Sequence, residues 1–278
     1  AEDGERDGVT SRVILATDGD FNVGMSSPET LTDLIAQKRD AGVCLSGLGV
    51  GTGNLNAAVM QALAQNGNGT AHYIDTFREA QRVLVDEIGA TLMPIASDVK
   101  VQVEFNPAEV AEYRLIGYET RALNREDFNN DRIDAGDVGA GLSVTALYEI
   151  TPVGSGSVLT DPLRYGNAED QPGRASNEGE LGFFKLRFKL PGETDSSLYT
   201  QAITAELAVD TISQADDNAR FALAVAAFGQ KLRHNVNAEA VSFAEIRGLA
   251  QDARGVDQDG YRSEFLSLID LAASLSGE

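Results

Sequence analysis

The run Val13-Ile14-Leu15-Ala16, closed by Thr17-Asp18-Gly19, constrains this chain more than any other feature. Four apolar residues without polar alternation read as a strand covered on both faces, the signature of a parallel sheet. The residues after Gly19 keep to that plan. Ser27-Pro28-Glu29 supplies a hydroxyl cap, a proline at the first helical position and an acid in the first turn. Leu31, Leu34, Ile35 and Lys38 recur at helical spacing before Gly42 ends the helix. Residues 43–50 form a second apolar strand, and Leu55, Val59, Met60 and Leu63 mark a second helix that stops at Gly67-Asn68-Gly69. Residues 71–74 are a third strand, and residues 76–88 a third helix with Phe77, Ala80, Val83, Leu84 and Ile88 inward. Strands alternating with helices require parallel pairing through right-handed crossovers. In such sheets ligands bind at the carboxyl ends of strands, so Asp18 stands where chemistry sits.

Near Ala96 the period changes. Val99, Val101, Val103 and Phe105 alternate with Lys100, Gln102 and Glu104, which predicts a half-buried strand that Pro107 ends. Further strands are expected over residues 113–120, 143–150 and 183–190, the last with Leu186, Phe188 and Leu190 opposed to Arg187 and Lys189. Short strands without intervening helices predict an antiparallel sandwich, and residues 154–179, rich in Gly, Pro, Asn and Ser, read as a long mobile loop. From about Asp210 the chain is helical, with helices expected over residues 216–233, 242–253 and 261–275, the middle one opened by a capping-box spacing of Ser242 and Glu245. The fold class is therefore α/β, then β, then α, with divisions expected at residues 1–93, 94–209 and 210–278.

Composition narrows the function classes. The formal charge of −21 over 278 residues excludes binding of a nucleic acid backbone through the global field, because phosphate contacts need clustered Lys and Arg. The single Cys44, in the apolar run Val43-Cys44-Leu45, permits no intrachain disulfide and reads as a small core residue. That leaves the compartment open between cytosol and periplasm. No apolar run approaches the ~20 residues that span a bilayer, and no signal peptide opens the sequence; if the natural protein has one, it is expected upstream.

Three segments of the first third resemble a von Willebrand factor type A (VWA) domain. Ala16-Thr17-Asp18-Gly19-Asp20-Phe21-Asn22-Val23-Gly24 is similar to that family's fourth-strand segment. Leu48-Gly49-Val50-Gly51-Thr52-Gly53-Asn54-Leu55-Asn56 is similar to its fifth-strand exit, and Asn66-Gly67-Asn68-Gly69-Thr70-Ala71-His72-Tyr73-Ile74-Asp75 to the approach to its sixth strand. Farther on, Val103-Glu104-Phe105-Asn106-Pro107, Tyr113-Arg114-Leu115-Ile116-Gly117-Tyr118-Glu119 and Val144-Thr145-Ala146-Leu147-Tyr148-Glu149-Ile150 resemble bacterial chloride-channel-like envelope VWA proteins with an uncharacterised C-terminal domain.

The resemblance implies the C-terminal half of a VWA domain with a Rossmann-like parallel sheet, entered at its fourth strand. It also implies an envelope or periplasmic, lipoprotein-type setting and a non-enzymatic protein-binding or adhesion function. A structural or assembly subunit without metal-dependent binding is the alternative. In that family a divalent cation is held by a first-strand Asp-x-Ser-x-Ser motif, a Thr from a later loop and a fourth-strand Asp. Asp18 matches the last of these, whereas the others are missing. Mg²⁺ is thus implied for the intact parent protein and not expected for this chain alone, since one carboxylate is a poor Mg²⁺ site. In the family's strand order the strand at Val13 borders the missing first strand. That implies a protein partner, a second chain carrying the missing half, or self-association along an apolar edge.

Other groups have plainer readings. Asp127, Asn129 and Asp131 have the one-three-five spacing of a calcium loop, but Arg132 stands where the turn needs Gly and Val138 where a bidentate Glu belongs, so a solvated turn is expected. Gly47, Gly49, Gly51 and Gly53 lack the phosphate-loop pattern and read as turn glycines. His72 reads as a packing residue and His234 as a helix C-terminal cation, so no catalytic residues are assigned. The surface that contacts a partner is unassigned.

Overall fold

The computed structural model describes residues 11–18, 28–51, 56–118, 122–131, 133, 135–161 and 179–277. The Ser27 cap, the loop after Asp18, most of the loop after Gly51 and most of the expected loop over residues 154–179 lie outside them. The chain divides into two compact units, each assembled from three stretches. One comprises Ala1–Val103, Leu123–Ser143 and Phe184–Gln201; the other comprises Glu104–Ala122, Val144–Phe183 and Ala202–Glu278.

The first unit opens with β1 (Ser11–Thr17), α1 (Pro28–Asp40), β2 (Val43–Val50), α2 (Ala57–Asn66) and β3 (Ala71–Ile74). The strands form a parallel sheet in the order β1-β2-β3, with Ser11 opposite Val43, Thr17 opposite Gly49 and Gly47 opposite Ala71. Gly42 follows α1 with φ +84°, and its N–H donates to the Arg39 carbonyl, the left-handed stop expected there. Asn56 caps α2 by accepting from the Val59 N–H, and Met60, Leu63 and Ala64 bury its inner face. At the following turn Gly69 is sterically required: a Cβ there would lie 1.8 Å from the Leu45 carbonyl oxygen.

The third helix departs from the expected single element. It is α3 (Phe77–Gln81), a π-helical turn over Arg82–Asp86, and α4 (Ile88–Leu92). The Glu87 N–H donates to the Arg82 carbonyl, and the Arg82 guanidinium meets Glu87 at 2.7 Å as well as Glu79, so side chains reinforce the five-residue step. Val83 is buried but Phe77 is 85% exposed, against the expected inward stripe. Six residues at about 100° each put Phe77 far around the helix from Val83, so one face cannot take both.

A second sheet has the order β6-β4-β8-β9, built from β4 (Pro94–Phe105), β6 (Gly136–Gly139), β8 (Glu180–Lys189) and β9 (Ser197–Thr204). β4 and β6 are antiparallel. The Asn106 N–H donates to Leu181 at one end of β4, and Asp98 meets Lys189 at the other, so β4 and β8 are antiparallel too. The β4–β6 register slips between Ala96 and Val99, a bulge that holds Asp98 at φ +54°.

In the second unit, β5 (Val110–Ile116) and β7 (Leu147–Pro152) form a two-stranded antiparallel sheet. Phe105 packs on Tyr113 and Tyr148 with ring centroids at 4.7 and 5.3 Å. The helices α5 (Asp217–Leu232), α6 (Phe243–Asp252) and α7 (Tyr261–Ser276) follow, close to their expected bounds. Asp216 caps α5, and the capping box of Ser242 and Glu245 opens α6. Ala224, Phe243, Ile246, Ala250, Leu266 and Ile269 make one closed core, with Phe221, Phe228 and Phe265 around it. The protein is thus mixed α/β with parallel and antiparallel sheets and C-terminal helices, and no described helix is long and apolar enough to cross a membrane.

Candidate functional site

Asp18 directly follows β1 and Gly51 directly follows β2; a Cβ on Gly51, which has φ +97°, would lie 4.0 Å from the Asp18 carbonyl oxygen. The Tyr73 hydroxyl, from β3, donates to the Gly51 carbonyl and ties the third strand to this rim. Asp18 therefore sits where the parallel topology places a ligand site, with an exposed carboxylate. Among the described residues no three His, Cys, Asp or Glu side chains gather as metal ligands. One exposed carboxylate does not fit a Mg²⁺ centre, which takes six oxygens in near-octahedral array.

The strand that carries Asp18 is unlike its neighbour. β2 is buried along most of its length, as a strand in a parallel sheet should be. β1 is apolar yet open: Val13 is 40% and Ile14 42% exposed, on opposite faces. Its outer edge has no strand beside it among the described residues. Arg12, near its start, donates to Ser46 Oγ (3.0 Å) and to the Asn68 carbonyl (3.3 Å), which anchors β1 to β2 at the end away from Asp18.

The acidic turn is a second polar centre; most of its described residues are exposed, as expected of a solvated turn, but it is anchored from beneath. Arg125–Asn129 make a 3₁₀ turn that buries Phe128. Lys100 Nζ donates to the Asn130 carbonyl (2.7 Å), and Lys189 Nζ to the Asp131 carbonyl (3.2 Å). The Asp131 carboxylate accepts from Ser196 Oγ (2.7 Å) and Arg187 (3.4 Å), and the Ser196 bond holds its pKa below the usual range. Asp98, on the bulge, bridges Lys100 (3.3 Å) and Lys189 (2.9 Å). Of the oxygens that a calcium loop would present to its ion, the Asp131 carboxylate is thus held by Ser196 and Arg187, while the two lysines hold backbone carbonyls of the same turn. Arg132 and Asp134 lie outside the described residues.

The alternation of β4 is inverted here. Lys100 is 1% exposed and Val101 49% exposed, although period two alone predicts the valine inside. The turn supplies the carbonyl, and Asp98 the carboxylate, that make burial of the ammonium tolerable. Sequence reasoning missed this because the Asn130 carbonyl is thirty residues away and only Asp98, two residues before Lys100, is local.

The remaining candidates stay apart. Cys44 is buried and unbridged. His72 lies opposite Leu48, four residues along β2 from Cys44, so about 13 Å of strand separates the two. Burial holds the half-buried His72 below the usual histidine range. His234 is exposed at the end of α5 with φ +52°, where its N–H donates to the Lys231 carbonyl.

Residues 90–275 match the family model described as "Uncharacterized protein YfbK, C-terminal". The chain is 44% identical over 265 residues to "Uncharacterized protein YfbK" of Escherichia coli (strain K12), a match covering 95% of this chain and 45% of that protein. It therefore spans less than half the length of this curated relative. Two solved structures are also similar. The ArnB paralog VWA2 from Sulfolobus acidocaldarius matches with a TM-score of 0.42 and 12% identity, over 95% of this chain and 63% of that one. A von Willebrand factor type A protein from Catenulispora acidiphila matches with a TM-score of 0.42 and 15% identity, over 91% and 57%.

Proposed function

We propose, from the premise that the chain belongs to the YfbK C-terminal family, that it is part of a protein-binding VWA module. In this reading β1 is the module's fourth strand, and its open edge receives a strand from another polypeptide segment. The observation that carries the reading is the contrast between exposed, apolar β1 and buried β2. A parallel sheet is stable when both its faces are covered, and an open apolar edge invites pairing.

The finer features follow from the sequence resemblance: a chloride-channel-like envelope group, a periplasmic or envelope location, and binding rather than catalysis. Mg²⁺ joins Asp18 only when the partner segment supplies the other oxygen ligands. The test is to produce this chain together with the part of the Escherichia coli relative that it does not span. The expected result is a one-to-one complex that Ile14→Lys weakens, with stoichiometric Mg²⁺ heat in titration calorimetry that Asp18→Ala removes. Absence of a complex overturns the reading. A complex whose assembly and further protein capture ignore Mg²⁺ and Asp18→Ala supports instead a structural subunit without metal-dependent binding.

A further inference from the structure

The helical layer contains a cleft of about 480 Å³ where the end of α5, the first turns of α6 and the second half of α7 meet. Its floor is apolar, since the buried Phe243 (3% exposed) and Ile269 (0%) lie beneath it. Ala240, Ala244 and Ala273 line it with methyl groups, where larger side chains would fill it. Its rim is charged and balanced, with Lys231 and Arg247 against Glu239 and Asp270.

One rim pair is only half used. Arg247 Nε donates to an Asp270 carboxylate oxygen at 2.6 Å, and both side chains stay about half exposed. That bond takes one of the five N–H donors of the guanidinium and one of the two carboxylate oxygens. Among the described residues, the terminal N–H groups of Arg247 and the second oxygen of Asp270 have no hydrogen-bond partner. One helical turn back along α6, Lys231 Nζ stands 5.0 Å from the centroid of the Phe243 ring.

We propose that this cleft binds an α-amino acid with a large apolar or aromatic side chain. The carboxylate takes the terminal N–H groups of Arg247, the ammonium takes the second oxygen of Asp270, and the side chain rests on Phe243, Ala244 and Ile269. Small-molecule sites are mostly apolar, with a few polar groups that fix orientation, and this cleft has that composition. Unused donors beside an unused acceptor match a ligand whose carboxylate and ammonium sit on one carbon. Charge selects the class. A formal −21 repels a simple anion and draws a simple cation to many acidic surfaces alike, whereas two basic and two acidic rim groups suit a neutral zwitterion. An aromatic side chain would lie beside Phe243 and share the Lys231 ammonium. All these residues belong to α5–α7 and the link after α5, so the proposal does not rest on the reading of β1.

Titration of the nitrogen-15-labelled whole chain with L-phenylalanine tests it. Saturable one-to-one amide shifts are expected over residues 243–247 and 269–273, with a Kd of about 1 mM or tighter. 3-Phenylpropanoate lacks the ammonium and 2-phenylethylamine the carboxylate, so each should bind at least about tenfold more weakly, as should L-phenylalanine to Arg247→Gln. Ala244→Phe, at an exposed helical position, fills the cleft and leaves every rim charge in place. It should abolish binding while thermal unfolding shows the fold retained. No saturable shift up to about 20 mM ligand, equal binding of either single-charge analogue, or undiminished binding by Ala244→Phe overturns the proposal.

Discussion

The parallel sheet β1–β3 and the helical layer α5–α7 are both built from regular, apolar elements, yet only one of them closes. In the helical layer Ala224, Ile246, Ala250 and Ile269 are completely or almost completely buried, and each of the α5 and α6 starts is fixed by its own side-chain cap. In the parallel sheet β2 is buried while β1 keeps apolar residues exposed on both faces. The difference lies in the kind of partner each element needs. Sequential helices cover one another through short connections, whereas a parallel strand needs a neighbour on each edge and a layer on each face.

Substitutions can break that comparison, starting with the largest effect. Ile269→Ala leaves a cavity in the closed helical core and should cost about 3 kcal/mol or more in denaturant unfolding, whereas Ile14→Ala should cost less than about 1 kcal/mol. Equal costs would mean that β1 is as enclosed as the helices. Lys100→Met strips Asp98 and the Asn130 carbonyl of a buried cation and should cost about 3 kcal/mol, with early proteolysis at the turn over residues 124–131 as the second sign. A stable, protease-resistant variant would show that Phe128 and the contacts at Asp131 hold the turn without Lys100.

Ser242→Ala removes the α6 cap and should cost about 1 kcal/mol, seen as a lower melting temperature. The smallest effect concerns pH. Glu245 is held below the usual carboxylate range by the Ser242 backbone N–H and then by its hydroxyl. Burial pushes Asp257 up, but bonds from the Ser263 hydroxyl and from the Arg262 and Ser263 N–H groups hold it below. A carboxylate lowered on folding stabilises above its unfolded pKa, and that contribution is lost as pH falls through the folded value. Acid unfolding curves of Glu245→Gln and Asp257→Asn should therefore be flatter than that of the parent over this range; unchanged slopes would deny these caps a part in acid stability.

Much of the fold was legible because its signals are local. The bounds of β2 and β3 follow from apolar runs, and those of α5, α6 and α7 from caps and helical periodicity. β6 is only four residues long, and β9 sets its apolar residues in adjacent pairs, Leu198-Tyr199 and Ala202-Ile203, without alternation, so neither was expected; the π-helical turn at Arg82–Asp86 depends on side-chain contacts that periodicity does not encode. Asp18 was legible as a strand-end carboxylate, which is where the structure puts it. The lysine-held turn was not, since Lys100, Asn130 and Lys189 are joined by tertiary contacts alone. Period-two alternation assumes that one face of a strand is wet, and the turn over residues 124–131 breaks that assumption at Lys100.

Lys100 also has a use as a clock. Amine-reactive reagents modify only accessible amines, and this one is buried between Asp98 and the Asn130 carbonyl. Its labelling must wait for the sheet and turn to part, while the exposed Lys38 reacts without such an opening. The modification rate of Lys100, read peptide by peptide in a mass spectrometer, therefore measures how often this part of the protein opens under native conditions.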